Sequence, residues 1–403
     1  MPGVGRYAEV LRAPHVTPLL LASMLARLPY GVFALAAILY LAQARGSYAV
    51  AGLVDGAFGL GAAAGAPWQS RLIDRLGQRR VLLVAAAVDV TATCLLIVLT
   101  EAGAPTVALV AAGLAGGVAV PNVGGALRTM WAGLMRGRES LLATAFALDS
   151  VALEALFTAG PLLAAAIIAV ASPLAALVVS AGCSLTGTLA FIAQRPSRAW
   201  RPDPSAEPVS RLGALSSSGV RTLAFAALPV GFCFGAVEIA LPGFAQSHGH
   251  RELAGVLLAT WSVGSLLGGL LYGAITWRRP LDAVYVGLSA LLPLGFLPAL
   301  LAPSILAMTF LIVSAGVLIA PQAAACNQLI GDVAPGGAVT EAYAWPVTAT
   351  LVGFAPGTAI GGVLLEHAGW RWCFVAAALT ALLGFAVVLR YRGTLARKAA
   401  VVP

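Results

Sequence analysis

The run SRLIDRLGQRR, residues 70–80, sets four arginines and one aspartate between two stretches, 48–70 and 80–100, that are otherwise almost wholly apolar. Each flanking stretch has the roughly 20 residues that a helix needs to cross bilayer hydrocarbon. A charge cluster this dense between two such runs reads as the wetted turn between two membrane-crossing helices. The remainder of the chain extends the same pattern.

Of its 403 residues, 60% are hydrophobic and only 10% charged, with a mean hydropathy of +0.92. A soluble globular domain carries about 25% charged residues, so this composition belongs in a bilayer. Twelve apolar runs are long enough to span: 17–42, 48–70, 80–100, 106–130, 141–166, 173–193, 222–246, 252–277, 283–302, 304–329, 341–364 and 371–390. None alternates with period two, which favours helices over a transmembrane barrel. Residues 1–16, MPGVGRYAEVLRAPHV, contain no apolar core and no small-residue cleavage site, and read as a cytoplasmic tail, not a signal peptide.

Basic residues set the orientation, because Lys and Arg resist translocation and collect on the cytoplasmic side. With the N-terminus inside, all but five of the 24 fall on cytoplasmic tails, loops and helix ends; Arg45, Arg251 and Arg371 are left outside, and Arg27 and Arg128 within spans. Shifting the frame by one helix inverts this ratio. The net charge of +8 therefore reports topology and contact with anionic membrane lipids, not nucleic acid. Cys94, Cys183, Cys233, Cys326 and Cys373 lie singly inside spans with no metal-ligand spacing, as small buried hydrophobes do.

The twelve spans divide into two sixes. Between them, residues 194–219 are rich in Pro, Ser and Arg and mark an exposed cytoplasmic linker, giving a tail 1–16, a six-helix bundle 17–193, the linker, a second bundle 220–390 and a tail 391–403. Self-comparison supports a duplication. An offset of 203 places Ala51, Gly52, Gly61 and Gly65 on Ala254, Gly255, Gly264 and Gly268; an offset of 200 places Pro121 on Pro321 and Asn122 on Gln322; an offset of 197 places TAFAL (144–148) on EAYAW (341–345) and Gly160 on Gly357. Two similar halves joined by a cytoplasmic linker form the arrangement in which bundles rock around a midplane site. The expected fold is an all-α integral membrane protein of twelve transmembrane helices in two pseudo-repeat bundles.

Read as S-x-x-x-D-R-x-G-Q-R-R, residues 70–80 resemble the loop between helices two and three of the major facilitator superfamily, whose pattern is G-x-x-x-D-[RK]-x-G-[RQ]-[RK]. Asp74, Arg75, Gly77, Gln78 and Arg79 match, while Ser70 stands where glycine is usual. With the six-plus-six layout the resemblance covers nearly the whole chain. It implies that Asp74, Arg75, Gly77 and Arg79 form a cytoplasmic latch in the outward-facing state. Independently of the family, Gly77 permits a left-handed turn, and Asp74 can accept from a neighbouring arginine or from a helix N-terminus of the other half. Gly160-Pro161 in ALDSVALEALFTAGPLL (147–163) is similar to a motif of the family's antiporters, although the surrounding glycines are mostly Ala and Leu. Stretches such as RLPYGVFALAAILYLAQARGSYAVAG (27–52) resemble drug-efflux-like members from high-GC bacteria.

Ionisable groups within spans cost about 2.5–3.5 kcal/mol each at mid-helix on insertion scales, so each needs a partner, a cavity or protonation. They are Arg27, Asp55, Asp89, Arg128, Asp149, Glu154 and Glu238. Counting ~1.5 Å per residue puts Arg27, Asp149 and Glu154 near mid-membrane. The resemblance implies that helices one and five are neighbours, so one acid is expected to pack toward Arg27 and the other, about 140° around the helix, to face the cavity. A carboxylate in a low-dielectric cleft holds its proton more tightly and an arginine beside it loosens that hold. Movement of Arg27 or a cationic substrate relative to Glu154 would thus bind and release one proton per cycle. A static buried salt bridge is the competing reading of the same residues.

Asp55 and Glu238 lie in the outer parts of helices two and seven, where Glu238 is a candidate for substrate cations. Asp89 is assigned to packing, and Arg128 to an interfacial anchor or a partner for Asp74. Asn122 and Gln322 follow prolines on helices that the resemblance makes cavity-facing, and Trp261, Tyr343 and Trp345 offer stacking surfaces for an amphipathic ligand. The chain lacks a G-x-x-x-x-G-K-[ST] loop and an H-E-x-x-H motif, and the alternating His248 and His250 are read as loop polarity. No enzyme, cofactor or metal is expected. The expected function is proton-driven export of a small amphipathic compound or drug across the plasma membrane by a monomer. Uptake of a sugar or other small metabolite is the alternative, and a membrane sensor or membrane enzyme a more distant one. Few hydrogen-bonding groups among the cavity candidates favour the amphipathic cargo over a sugar.

Overall fold

A computed structural model describes residues 2–201, 212–250 and 253–395. Twelve helical segments are long and apolar enough to cross a membrane, and the described chain is otherwise two shorter α-helices, turns and short 3-10 pieces. The helices are α1 (Pro2–Arg12), α2 (Val16–Arg27), α3 (Pro29–Arg45), α4 (Tyr48–Leu76), α5 (Gln78–Glu101), α6 (Thr106–Ala119), α7 (Val123–Leu134), α8 (Leu142–Val170), α9 (Pro173–Ala193), α10 (Arg195–Ala199), α11 (Ser218–Ser247), α12 (Ala254–Ala274), α13 (Leu281–Phe296), α14 (Ile305–Leu311), α15 (Val313–Gly316), α16 (Ile319–Val333), α17 (Val339–His367) and α18 (Trp370–Arg390).

Three spans are interrupted where the sequence reading drew single helices. The first is α2 and α3, broken at Leu28 before Pro29; the fourth is α6 and α7, broken around Pro121; the tenth is α14, α15 and α16. Proline removes a backbone donor and clashes with the preceding turn. In the fourth span the freed groups are satisfied by a neighbour: Gln69 of α4 donates to the carbonyls of Val118 (2.7 Å) and Val120 (2.8 Å). Elsewhere helix starts are fixed by hydroxyl caps, Ser47 accepting from the Val50 N–H and Ser172 from the Ala175 N–H. Gly77, at φ +91°, makes the turn between α4 and α5, a conformation open to glycine and costly for other residues.

The segment read as an N-terminal tail holds α1, whose Val10 is fully buried. The linker holds α10 and a 3-10 turn at Gly213–Ser216. Arg211, Arg251, Arg397 and Lys398, which entered the charge count, lie outside the described residues, as do 202–210 of the linker and most of the C-terminal tail.

Within each half the helices approach closely over glycines. A Cβ on Gly117 of α6 would run into the carbonyl of Phe58 on α4, and one on Gly231 of α11 into the carbonyl of Thr350 on α17. The buried cores are arranged by depth. At the face that carries α1, the linker and the arginine-rich turns, called here the basic face, one core contains residues of both halves, among them Val10, Leu19, Ile73, Trp131, Phe146, Leu223, Tyr272, Leu329 and Tyr343. Toward the opposite face there are two separate cores. One is built from first-half residues such as Phe33, Leu41, Val54 and Leu177, the other from second-half residues such as Val237, Phe244, Leu292 and Phe374. The halves are thus packed together at the basic face and part toward the other.

Candidate functional site

Two seams join the halves, α8 against α12 and α4 against α17. Along the first, the helices run in opposite directions: the Thr144 hydroxyl donates to the Gly273 carbonyl (2.7 Å), Gly269 backs onto Val151, and Glu154 faces the Ser265 hydroxyl. Ser265 is buried and Glu154 half-buried. Glu154 therefore stands at the upper end of this seam, where the joint core gives way to the cleft, with no ion pair among the described residues.

About 7.5 Å nearer the basic face, at five residues of 1.5 Å rise, lies the most buried charge cluster. Arg27 Nη1 and Asp149 Oδ1 are 2.9 Å apart, and Arg128 Nε donates to Asp149 Oδ2 at 2.9 Å. Arg27 is 1% exposed and Asp149 0%. Arg27 Nε also donates to the Ser23 carbonyl (3.3 Å), and Gly124 leaves room for the guanidinium stem, since a Cβ there would come within 3.3 Å of Arg27 Cδ. Asp149 thus takes the place beside Arg27 and Glu154 points elsewhere, the division that the angle between them requires. Arg128, read from sequence as an interfacial anchor or a partner for Asp74, instead binds Asp149. The break at Pro121 resets the azimuth of α7 and turns Arg128 inward, which residue counting along one continuous helix does not capture.

Asp74 is buried at the second seam, where its carboxylate accepts the backbone N–H groups of Thr340 (3.1 Å) and Glu341 (2.9 Å) at the start of α17. A carboxylate there faces the positive end of the helix dipole. Arg71 holds the Glu341 carboxylate with two hydrogen bonds, Nε to Oε2 at 3.0 Å and Nη2 to Oε1 at 2.6 Å. Arg75 and Arg79 are exposed and take no part in this network. Sequence reasoning passed over Arg71 and Glu341, although Glu341 lies in the EAYAW segment that aligns with TAFAL of the first half and Arg71 in the decisive loop. Neither residue matches a position of the loop pattern, and their meeting depends on how the halves dock.

The cavity candidates disperse. Asn122 is a helix cap, accepting from the Gly125 N–H (3.1 Å) and donating to the Ser70 hydroxyl (2.6 Å). Gln322 is buried and donates to Ser289 of α13 (3.2 Å), away from the cleft. Tyr343 is 3% exposed within the joint core, its ring 6.1 Å from that of Phe146, so it is closed off rather than offered to a ligand. Trp345 donates to Glu341 (3.3 Å) and borders a recess of about 260 Å³ with Trp68, Pro67 and Thr348. Trp261 packs edge-on against Phe234, centroids 5.6 Å apart. Glu238, one turn beyond Phe234 on α11, is exposed, and Asp55 is half-buried; neither has a partner among the described residues. Asp89 accepts from Ser184 (2.6 Å) between α5 and α9, a packing contact. No cluster of three or more metal-ligating side chains occurs among the described residues.

Comparison with known proteins places this geometry. No curated protein is detectably similar in sequence. Among solved structures, the human organic anion transporter MFSD10 (TETRAN) superimposes with a TM-score of 0.71 at 17% identity, covering 95% of this chain and 99% of that one. A bacterial homologue of the iron transporter ferroportin, in an outward-facing state, superimposes with a TM-score of 0.75 at 14% identity, covering 94% and 99%. At such identities the likeness is one of fold. The family model of the Major Facilitator Superfamily matches residues 19–296 and again 223–401, and with twelve spans in two joined bundles the chain belongs to that superfamily of transporters.

Proposed function

We propose that this protein is a proton-coupled secondary transporter of the plasma membrane. It works as a monomer by alternating access and exports a small amphipathic compound, with its basic face and both termini in the cytoplasm. The observation that carries the reading is Glu154: a carboxylate without a counter-charge, half-buried at the upper end of the α8/α12 seam and facing Ser265 of the other half. Rocking of the halves would carry Ser265 away from Glu154 and alter the water around the carboxylate, which is the condition for taking up a proton in one state and releasing it in the other. The Arg27–Asp149–Arg128 cluster below it sets two guanidinium groups against one carboxylate, so the field it presents to Glu154 is positive.

The cargo reading rests on the chemistry of the cavity candidates. Trp261, Phe234 and the recess beside Trp345 and Trp68 offer aromatic and apolar surface, while the amide candidates Asn122 and Gln322 are occupied by structural hydrogen bonds. Such a lining suits an amphipath better than a sugar, whose many hydroxyls each need a partner. The solved structures of similar fold are an organic anion transporter and a homologue of an iron transporter, so the fold by itself selects no cargo.

The test is transport in proteoliposomes under an imposed pH gradient with a panel of dyes, drugs and sugars. The expected result is saturable substrate flux opposite to the proton flux, with Glu154→Gln abolishing gradient-driven accumulation while sparing exchange. Glu154→Gln with undiminished uphill transport and pH dependence would remove Glu154 from the mechanism. Sugar flux in the direction of the protons would overturn export.

A further inference from the structure

The sequence offsets relate the two seams to one another, yet the seams are closed by different chemistry. At the α4/α17 seam Glu341 binds Arg71, and Asp74 caps α17. The offset of 197 maps Glu341 back to Thr144, and the offset of 203 maps Asp74 forward to Trp277. The α8/α12 seam therefore lacks both carboxylates. Thr144 contributes one neutral hydrogen bond to Gly273. Trp277 folds back on the end of α12, donating to the Tyr272 carbonyl at 3.1 Å.

What crosses this seam instead is α1. Arg6 reaches both halves at once: its Nε donates to Thr144 Oγ1 (3.2 Å) and its Nη2 to the Ser140 carbonyl in the first half, and its Nη1 to Thr276 Oγ1 (2.8 Å) in the second. The Tyr7 hydroxyl is shared between the carbonyls of Gly269 (2.8 Å) and Leu270 (3.0 Å) on α12. Its ring occupies a notch that exists because residue 273 is glycine; a Cβ there would strike both Tyr7 and Ala147. Val10, one turn on, is buried in the joint core. Burial pushes the Tyr7 hydroxyl up to about 12, so it stays a donor at any pH the cell presents.

The other seam has a counterpart of this arrangement. Gly213, in the segment leading into α11, lies against the Arg71–Glu341 pair, so that a Cβ there would meet both side chains. In each half, the segment preceding the first span lies over a seam at the basic face.

We infer that α1 is the latch of the α8/α12 seam, standing in for the two carboxylates that this seam lacks, and that it must undock before the basic face opens. This rests on the alternating-access reading above but concerns conformation only, and its test needs no substrate. Nitroxide labels at positions 136 and 279, both exposed on turns of the basic face and in different halves, report the opening by pulsed electron spin resonance of the full chain in lipid nanodiscs. Arg6→Ala is expected to raise the longer-distance population about three- to tenfold, as loss of one or two hydrogen bonds of ordinary net strength would do. Tyr7→Phe, which removes only the hydroxyl that α1 donates to the Gly269 and Leu270 carbonyls and leaves the α8/α12 packing as it is, is expected to shift the distribution the same way and decides the matter if Arg6→Ala does not fold. A distance distribution matching the parent in the folded variant overturns the latch. Asp74→Asn, acting at the other seam, separates the causes. If it raises the long-distance population while the α1 variants do not, the latch alone is wrong; if it too leaves the distribution unchanged, the rocking reading fails with it.

Discussion

Two guanidinium groups share one carboxylate at Asp149, so the buried cluster carries one positive charge more than it cancels. Taking charges out of water is expensive, and breaking a buried pair by removing one partner costs about 3–5 kcal/mol because an uncompensated charge remains. Asp149→Asn strands two arginines and is expected to lower stability by about that amount, read as an earlier transition in an SDS unfolding titration. Arg27→Met leaves a balanced Arg128–Asp149 pair and is expected to cost less. An Arg27→Met loss equal to that of Asp149→Asn would show that packing, not charge balance, holds the cluster. Asp89, by contrast, is satisfied by the Ser184 hydroxyl between α5 and α9, both of the first half.

The helices are held by close backbone approach more than by side-chain interlock, as expected where lipid removes the hydrophobic drive for helices to associate. The contrast between two glycines tests this. Gly231 of α11 lies against the Thr350 carbonyl of α17, whereas Gly59 of α4 has nothing near its Cβ position. Gly231→Ala is expected to destabilise by about 1–3 kcal/mol through overpacking, and Gly59→Ala to be neutral or to stabilise by about 0.5–1 kcal/mol through helix propensity. Thermal unfolding of the two variants side by side checks the sign. The broken fourth span adds a second case: Gln69→Leu leaves the carbonyls of Val118 and Val120 without their donor, at about 1–3 kcal/mol for the stranded groups. Its measurable consequence is greater hydrogen exchange at the break between α6 and α7.

For the whole molecule, the joint core at the basic face and the divided cores opposite describe a transporter closed at one end. In the proposed orientation, which follows the arginine distribution, that closed end faces the cytoplasm. Single cysteines at Arg136 and at Ala104, on turns at opposite faces, check the assignment. A membrane-impermeant maleimide added to intact cells is expected to label position 104 and to label 136 only after lysis. Labelling of 136 in intact cells would invert the topology and with it the proposed direction of transport.

Hydropathy and the positions of Lys and Arg by themselves determined the number of spans, the division into halves and the basic face, because a bilayer accepts only apolar helices of sufficient length and holds arginine at the surface. The 1.5 Å rise likewise fixed the depth of Arg27, Asp149 and Glu154, and the angle between the two acids their separation onto different faces. Which side chains meet was decided only in three dimensions. Depth along a helix says nothing about its azimuth, and the prolines at the broken spans reset that azimuth. The pairing of Arg128 with Asp149, the occupation of Asn122 and Gln322 as structural groups, and the burial of Tyr343 all follow from how the helices turn and dock. So does the meeting of Arg71 with Glu341 and of α1 with the α8/α12 seam, contacts between residues more than a hundred positions apart that no local pattern encodes.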